Sequence, residues 1–170
     1  MEVSRIYFDM DGVLADFGRG VQELCHMEPP RQDGPKELDD KMWERIREVG
    51  NFYDRLELMP GAKEMFDRIR EQHGDRVEIL TGVPKEKRKI PTAGDDKTSW
   101  VRRLLSEDVR MNIVKREQKQ YYCSGDGCIL IDDLEDNIRE WEAMGGIGIL
   151  HRSAEETLAE LERLGILQAE

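Results

Sequence analysis

The sequence predicts an α/β fold of three layers, a parallel sheet between two layers of helices, with a small helical cap inserted after the first strand. Three observations predict it. Short apolar runs at Arg5 to Asp9, Val77 to Thr81 and Cys128 to Asp132 each end in an acid or a hydroxyl. Between the later runs lie segments whose apolar residues recur at helical spacing. Residues 15–59 carry helical patterns with no strand among them. Strands that alternate with helices pair in parallel and are covered on both faces.

Taken in chain order, the first strand leads into "DMDGV", and the insertion follows with helical patterns at Phe17 to Cys25 and Leu38 to Val49. In the second of these Leu38, Met42, Trp43, Ile46 and Val49 form an apolar stripe, and the Pro/Gly-broken "EPPRQDGPKE" separates the two. In "GAKEMFDRIREQHG" Ala62, Met65, Phe66 and Ile69 share a face, Pro60 precedes the start and Gly74 follows the end, where a left-handed cap is wanted. Beyond the Val77 strand a helix is predicted over Thr98 to Leu105, then a strand at Met111 to Val114. After the Cys128 strand come a helix in "LEDNIREWEAMGG", a strand at Ile147 to Leu150 and a last helix at Ala154 to Leu164. The domain reading is therefore a core of residues 1–14 and 60–170 and a helical cap of residues 15–59, placed as a lid over the strand ends.

Composition narrows the function classes. The 170 residues are 37% charged and 38% hydrophobic, and the formal charge of −11 opposes stable binding to nucleic-acid phosphates. No window is long and apolar enough to predict a membrane span, and no basic segment with an apolar h-region opens the chain, so a cytoplasmic location is expected. Cys25, Cys123 and Cys128 are an odd number without a CxxC pair, and "CSGDGC" reads as a turn. His26, His73 and His151 are scattered, with no ligand partner at useful spacing.

Ligands of parallel sheets bind beyond the carboxyl ends of the strands. That rule brings Asp9, Asp11, Thr81, Asp132 and Asp133 toward one place. Four carboxylates there repel one another unless some are protonated or a cation neutralises them. Oxygen-only ligation with room for water and a phosphate oxygen suits Mg²⁺. With such a cation, Asp9 is suited to attack phosphorus and Asp11 to protonate the leaving oxygen and later activate water. Thr81 and the backbone N–H groups of Gly82 and Val83 are expected to bind phosphate oxygens, and a lysine to complete the stabilisation.

"DMDGV", "ILTG", a downstream lysine and "ILIDD" are similar to the four motifs of the haloacid dehalogenase-like hydrolases. Within that superfamily "DMDGVLADF", "LMPGAKEMFDRI", "ILTGVP", "DDKTSWVRRLL" and "LIDDLEDNIREWEAMGGIGILH" resemble the 5′(3′)-deoxyribonucleotidases and their bacterial and phage relatives. The resemblance implies a Rossmann-like core with a helical cap, Mg²⁺ dependence, and release of phosphate from nucleoside monophosphates through an aspartyl-phosphate. It implies a metal shell of Asp9, Asp132, Asp133 and the Asp11 carbonyl. Lys119 is expected as the motif lysine and Lys97 as a second phosphate contact, with Lys115 a weaker substitute. Phe17, close behind the catalytic loop, is the cap residue expected to touch substrate, whereas Trp43 is expected in the core.

The chain departs from the nucleotidase pattern where Leu134 stands in place of a common arginine, and in the basic cluster Lys85, Lys87, Arg88 and Lys89. A solvated loop is the expectation for that cluster. Two other substrates stay open at this point: a different small phosphate ester such as a sugar phosphate, and a polynucleotide end.

Overall fold

The computed structural model describes residues 2–170. Among them five strands form one parallel sheet in the order β3-β2-β1-β4-β5. β1 (Arg5–Phe8) is central, flanked by β2 (Val77–Gly82) and β4 (Cys128–Asp132), with β3 (Arg110–Val114) and β5 (Ile147–Leu150) at the edges. Chain order reverses direction across the sheet between β1 and β4, and this is where such sheets open a crevice for ligands.

Side chains alternate between faces, as the two-residue period of a strand requires. Ile6, Phe8, Val77, Ile79, Ile129 and Ile131 join the larger core, with buried residues of α3 (Ala62–His73), α4 (Ala93–Leu104) and α6 (Ala154–Arg163). Tyr7, Leu80, Cys128 and Leu130 point the other way, onto Ile138 and Trp141 of α5 (Glu135–Ala143). The three layers expected from sequence are present.

The segment between β1 and α3 holds α1 (Phe17–Cys25), α2 (Lys36–Val49) and a 3-10 turn at Phe52–Arg55. Asp16 caps α1, its carboxylate accepting the Arg19 N–H at 3.2 Å. The buried faces of these helices, Val21, Cys25, Met42 and Ile46, are continuous with the larger core rather than forming a separate one. The Phe52–Arg55 turn is bound tightly to α4. Trp100 Nε1 donates to the Leu56 carbonyl at 2.8 Å, Asn51 Nδ2 to Asp96 Oδ1 at 2.9 Å, and Ser99 Oγ to Asp54 Oδ2 at 3.1 Å.

Two boundary shifts bear on the site. β1 ends at Phe8, so Asp9 is the first residue past the strand. α4 starts at Ala93 rather than Thr98, which puts Lys97 in its second turn. "PTAGDD" reads as loop because Gly94 weakens a helix, but an Ile113 methyl would lie 3.4 Å from a side-chain carbon added at that glycine. The helix start thus packs on β3 at ordinary contact distance, and Asp95 and Asp96 supply the acids that favour a helix N-terminus.

His26 is exposed at the end of α1, whereas His73 and His151 hydrogen-bond to the Ile166 carbonyl and to Thr157. All three cysteines are buried and unpaired.

Trp100 is fully buried and ties α4 to the end of the insertion. Trp100→Phe removes the indole donor to the buried Leu56 carbonyl and is expected to cost about 1–3 kcal/mol. Urea unfolding measured with unchanged m-value reads the loss.

Candidate active site

Parallel pairing of β1 with β4 sets Phe8 opposite Ile131. One residue further along each strand, Asp9 and Asp132 stand side by side. Backbone bonds fix them: the Asp9 N–H donates to the Ile131 carbonyl at 2.9 Å and the His151 N–H to the Asp132 carbonyl at 2.9 Å. Carboxylate oxygens of Asp9, Asp132 and Asp133 lie within 4.8 Å of one another.

Lys119 answers part of this charge. Its Nζ, buried with them, donates to Asp9 Oδ1 at 2.7 Å and Asp132 Oδ2 at 2.9 Å. Burial works against the ammonium, but the two carboxylates outweigh it and hold its pKa up. One lysine is not enough for three acids. Burial, then the charge of Asp9, pushes Asp132 up to about 6, and burial followed by Asp9 and Asp132 pushes Asp133 up to about 8, although its tip opens to the cavity. An all-oxygen cluster that cannot hold its full negative charge with protein partners alone fits a hard divalent cation.

Gly12 shapes the same corner. Its φ is +83°, a conformation that L side chains avoid, and a side-chain carbon there would lie 2.1 Å from Asp133 Oδ2. The turn after β1 is drawn tight by the Met10 carbonyl, which accepts N–H groups from Leu14 and Ala15, both at 2.9 Å.

Asp11 stands apart from the three-carboxylate cluster. Its Oδ2 accepts from Lys97 Nζ at 2.9 Å, and its Oδ1 is buried without a partner among the described residues. Lys97 is fully buried and also donates to Thr81 Oγ1 at 2.9 Å and the Gly82 carbonyl at 2.6 Å. All three of its protons are thereby engaged, with the Tyr53 ring 4.6 Å away. Lys97, expected as a second phosphate contact, is directed here at Asp11 and Thr81 and does not line the cavity. Nor is the Val83 amide available to phosphate, because it donates to the Val114 carbonyl at 2.9 Å.

A cavity of about 480 Å³ opens over these residues. Asp9, Asp11, Asp132, Asp133, Lys119 and Gly82 form its floor, and Phe17, Trp43 and Tyr53 form an aromatic wall. Phe17 lies 6.2 Å from both Trp43 and Tyr53, between ring centroids. Thr81 is fully buried behind the floor and bears on the cavity only through its neighbours.

Several lining residues escaped the sequence reading. Trp43 sits on an apolar stripe, yet it faces the cavity with Arg88 over its ring at 5.9 Å. Arg88 donates to Asp40 Oδ1 at 2.7 Å and Asp39 Oδ2 at 2.9 Å, so this part of the basic cluster is paired with α2 rather than solvated. Asn137 donates to Asp132 Oδ2 at 3.0 Å, and Arg116 also lines the cavity. The Asn137 signal was within reach, five residues past Asp132 on the next helix; Arg116 carries no local signal, and the basic cluster that includes Arg88 does not reveal its partners on α2.

Residues 3–165 match the family model described as 5′ nucleotidase, deoxy (pyrimidine), cytosolic type C protein. The chain belongs to this nucleotidase family. Its members are haloacid dehalogenase-like hydrolases, which makes the protein a phosphatase of the nucleotidase kind. A protein of Vibrio phage KVP40 with the provisional name 5′(3′)-deoxyribonucleotidase is 29% identical over 132 residues, 78% of this chain and 67% of that one. Among solved structures, a haloacid dehalogenase family hydrolase from Deinococcus radiodurans R1, with bound phosphate and sodium, is similar over 99% of both chains with a TM-score of 0.54 at 17% identity. The L-2-haloacid dehalogenase of Xanthobacter autotrophicus, with chloropropionic acid covalently bound, matches 99% of this chain and 85% of its own with a TM-score of 0.54 at 11% identity. These two likenesses show the fold. For the nucleotidase family member described here, among the described residues no helix is long and apolar enough to cross a membrane.

If the acidic corner holds a cation, adding Mg²⁺ raises the melting temperature of the wild type by binding the native state alone. Gly12→Ala is expected to abolish most of that rise, because the new methyl displaces Asp133. Differential scanning fluorimetry across a Mg²⁺ titration compares the two.

Proposed function

We propose that this family member is a Mg²⁺-dependent phosphomonoesterase that releases phosphate from (deoxy)nucleoside monophosphates through an aspartyl-phosphate. The observation that carries the reading is the pairing of two differently held acids two residues apart. Asp9 belongs to a crowded anionic cluster with Lys119, whereas Asp11 is held by Lys97 with one oxygen left unpartnered. Asp9, Asp132, Asp133 and the Asp11 carbonyl would hold the ion. Mg²⁺, when bound, neutralises the carboxylates and a phosphate oxygen, so that an anionic nucleophile can approach an anionic ester.

Asp9 attacks phosphorus with a carboxylate oxygen, and the bond from phosphorus to the ester oxygen breaks as the new one forms. Asp11 gives the leaving oxygen its proton from Oδ1 while Lys97 fixes Oδ2. Asp11, now a carboxylate, takes a proton from water, whose oxygen attacks phosphorus and returns Asp9 and inorganic phosphate. Lys119 spreads the charge of the transferring group, while Thr81, buried behind the floor, accepts from Lys97 and keeps that lysine on Asp11. These roles divide the work between a nucleophile and a proton carrier.

Residues 15–59 act as the cap in this reading. The wall of Phe17, Trp43 and Tyr53 offers planar faces of the kind a nucleobase stacks on, and the cavity volume accommodates a mononucleotide. A polynucleotide end is disfavoured because Arg88, the most enclosed member of the basic loop, is committed to Asp39 and Asp40. Three unpaired thiols suit a reducing cytoplasm.

Phosphate release from nucleoside 5′- and 3′-monophosphates and sugar phosphates is expected to require Mg²⁺, stop with EDTA and favour deoxynucleotides. Asp9→Asn lowers kcat by about a thousandfold or more, as loss of a nucleophile does. Release from sugar phosphates alone overturns the substrate, and release by Asp9→Asn at the wild-type rate overturns the mechanism. Arg88→Ala unties α2 from the loop after β2. It is expected to raise KM several-fold with kcat little changed and to speed amide hydrogen exchange in residues 36–49, which mass spectrometry follows.

A further inference from the structure

The cations that line or approach the cavity are largely spoken for. Lys97 spends all three protons on Asp11, Thr81 and Gly82, and Lys119 spends two of three on Asp9 and Asp132. Arg88 is bound by Asp39 and Asp40, and Lys85 is exposed in the loop beyond β2. The Val83 amide is also taken. A phosphate with two negative charges therefore meets few free donors from the floor.

Arg116 is the exception. It opens the 3-10 segment Arg116–Tyr122 directly after β3, and its Cα lies 3.6 Å from where a side chain on Gly82 would begin. Its Nη1 donates to Asn137 Oδ1 at 2.8 Å and Glu140 Oε2 at 3.2 Å. Those two bonds aim the side chain along the wall between Gly82 and Asp132. Nε and Nη2 have no protein partner among the described residues, in a side chain that lines the cavity and is 43% exposed. A guanidinium tethered by one nitrogen with two others free presents a donor edge that matches two oxygens of one phosphate.

We infer that Arg116 is a substrate-anchoring residue that binds non-bridging oxygens of the phosphate, a deepening that rests on the proposed phosphomonoesterase reading. It also has a second consequence. An arginine can only donate, so its bond to Asn137 Oδ1 turns the amide nitrogen of Asn137 toward Asp132, where a 3.0 Å bond is found. Arg116 thus binds substrate on one side and orients a partner of Asp132 on the other.

The test measures binding of inorganic phosphate by isothermal titration with Mg²⁺ present, and separately the affinity for Mg²⁺, for wild type, Arg116→Ala and Arg116→Lys. Arg116→Ala is expected to bind phosphate about 10- to 100-fold more weakly, the range for losing a charge-assisted contact, with Mg²⁺ affinity within a few-fold of wild type. Arg116→Lys falls between, because a single ammonium cannot hold Asn137 and two phosphate oxygens together. On a turnover substrate the loss appears chiefly in KM. Phosphate affinity in Arg116→Ala within twofold of wild type overturns the inference, as does a loss confined to Mg²⁺ affinity, which would mean that Arg116 acts only through Asn137. Wild type that binds phosphate but hydrolyses no monoester overturns the phosphomonoesterase reading while leaving Arg116 an anion anchor. Wild type that binds no phosphate overturns both.

Discussion

Charge crowding at the ends of β1 and β4 is the constraint around which the molecule is organised. Two strands paired in parallel and in register must deliver their next residues to the same spot, and here both are aspartates, with Asp133 one step beyond. Like charges at such separations, screened by little water, repel by far more than a surface pair would. The surrounding residues read as replies to that repulsion. Lys119 is buried where lysines are seldom buried, Asn137 and the Leu134 N–H donate to Asp132, and Gly12 has no side chain to obstruct Asp133.

Separation of Asp9 from Asp11 follows from the same geometry. Asp9 is the first residue past its strand and belongs to the cluster, while the tight turn at Met10 carries Asp11 round to the side of α4. There Lys97 waits in the second turn of a helix whose side chains Asp96, Ser99 and Trp100 tie it to Asn51, Asp54 and Leu56 of the insertion. The position of Asp11 thus depends on helix packing some distance from the acids. One turn of chain gives two neighbouring carboxylates unlike surroundings, which is what unlike tasks require.

The strands, their parallel arrangement and the acidic strand ends were legible because each is written locally. Apolar runs that stop at Asp9 and Asp132 report both a strand and its end. Lys119 was readable as a lysine expected ahead of the last motif, and the structure buries it between Asp9 and Asp132. The fate of Lys97 was not readable, because its partners Asp11, Thr81 and Gly82 come from two other elements and no spacing encodes a three-way contact. Trp43 misled for a related reason: a helix that faces the core on one side and a cavity at its edge has the same apolar stripe as one that is wholly packed. Arg88 and Arg116 sit in irregular segments, where a charged residue looks the same whether it is solvated or committed to a partner across the fold. A basic cluster read as solvated proved to include a clasp between α2 and the loop after β2.

The continuity of Val21, Cys25, Met42 and Ile46 with the main core bears on how the substrate range of such a protein changes. An insertion with its own core is a module and can be exchanged or enlarged without disturbing what lies beneath. This one shares side-chain contacts with the floor it covers, so a wholesale swap would open voids in the catalytic half of the molecule. Selection and protein engineering alike are left with the rim, where exposed residues such as Gln32 and Lys85 line the opening. New preferences in this lineage should therefore arise by single exchanges around the mouth, with the helices beneath kept nearly fixed.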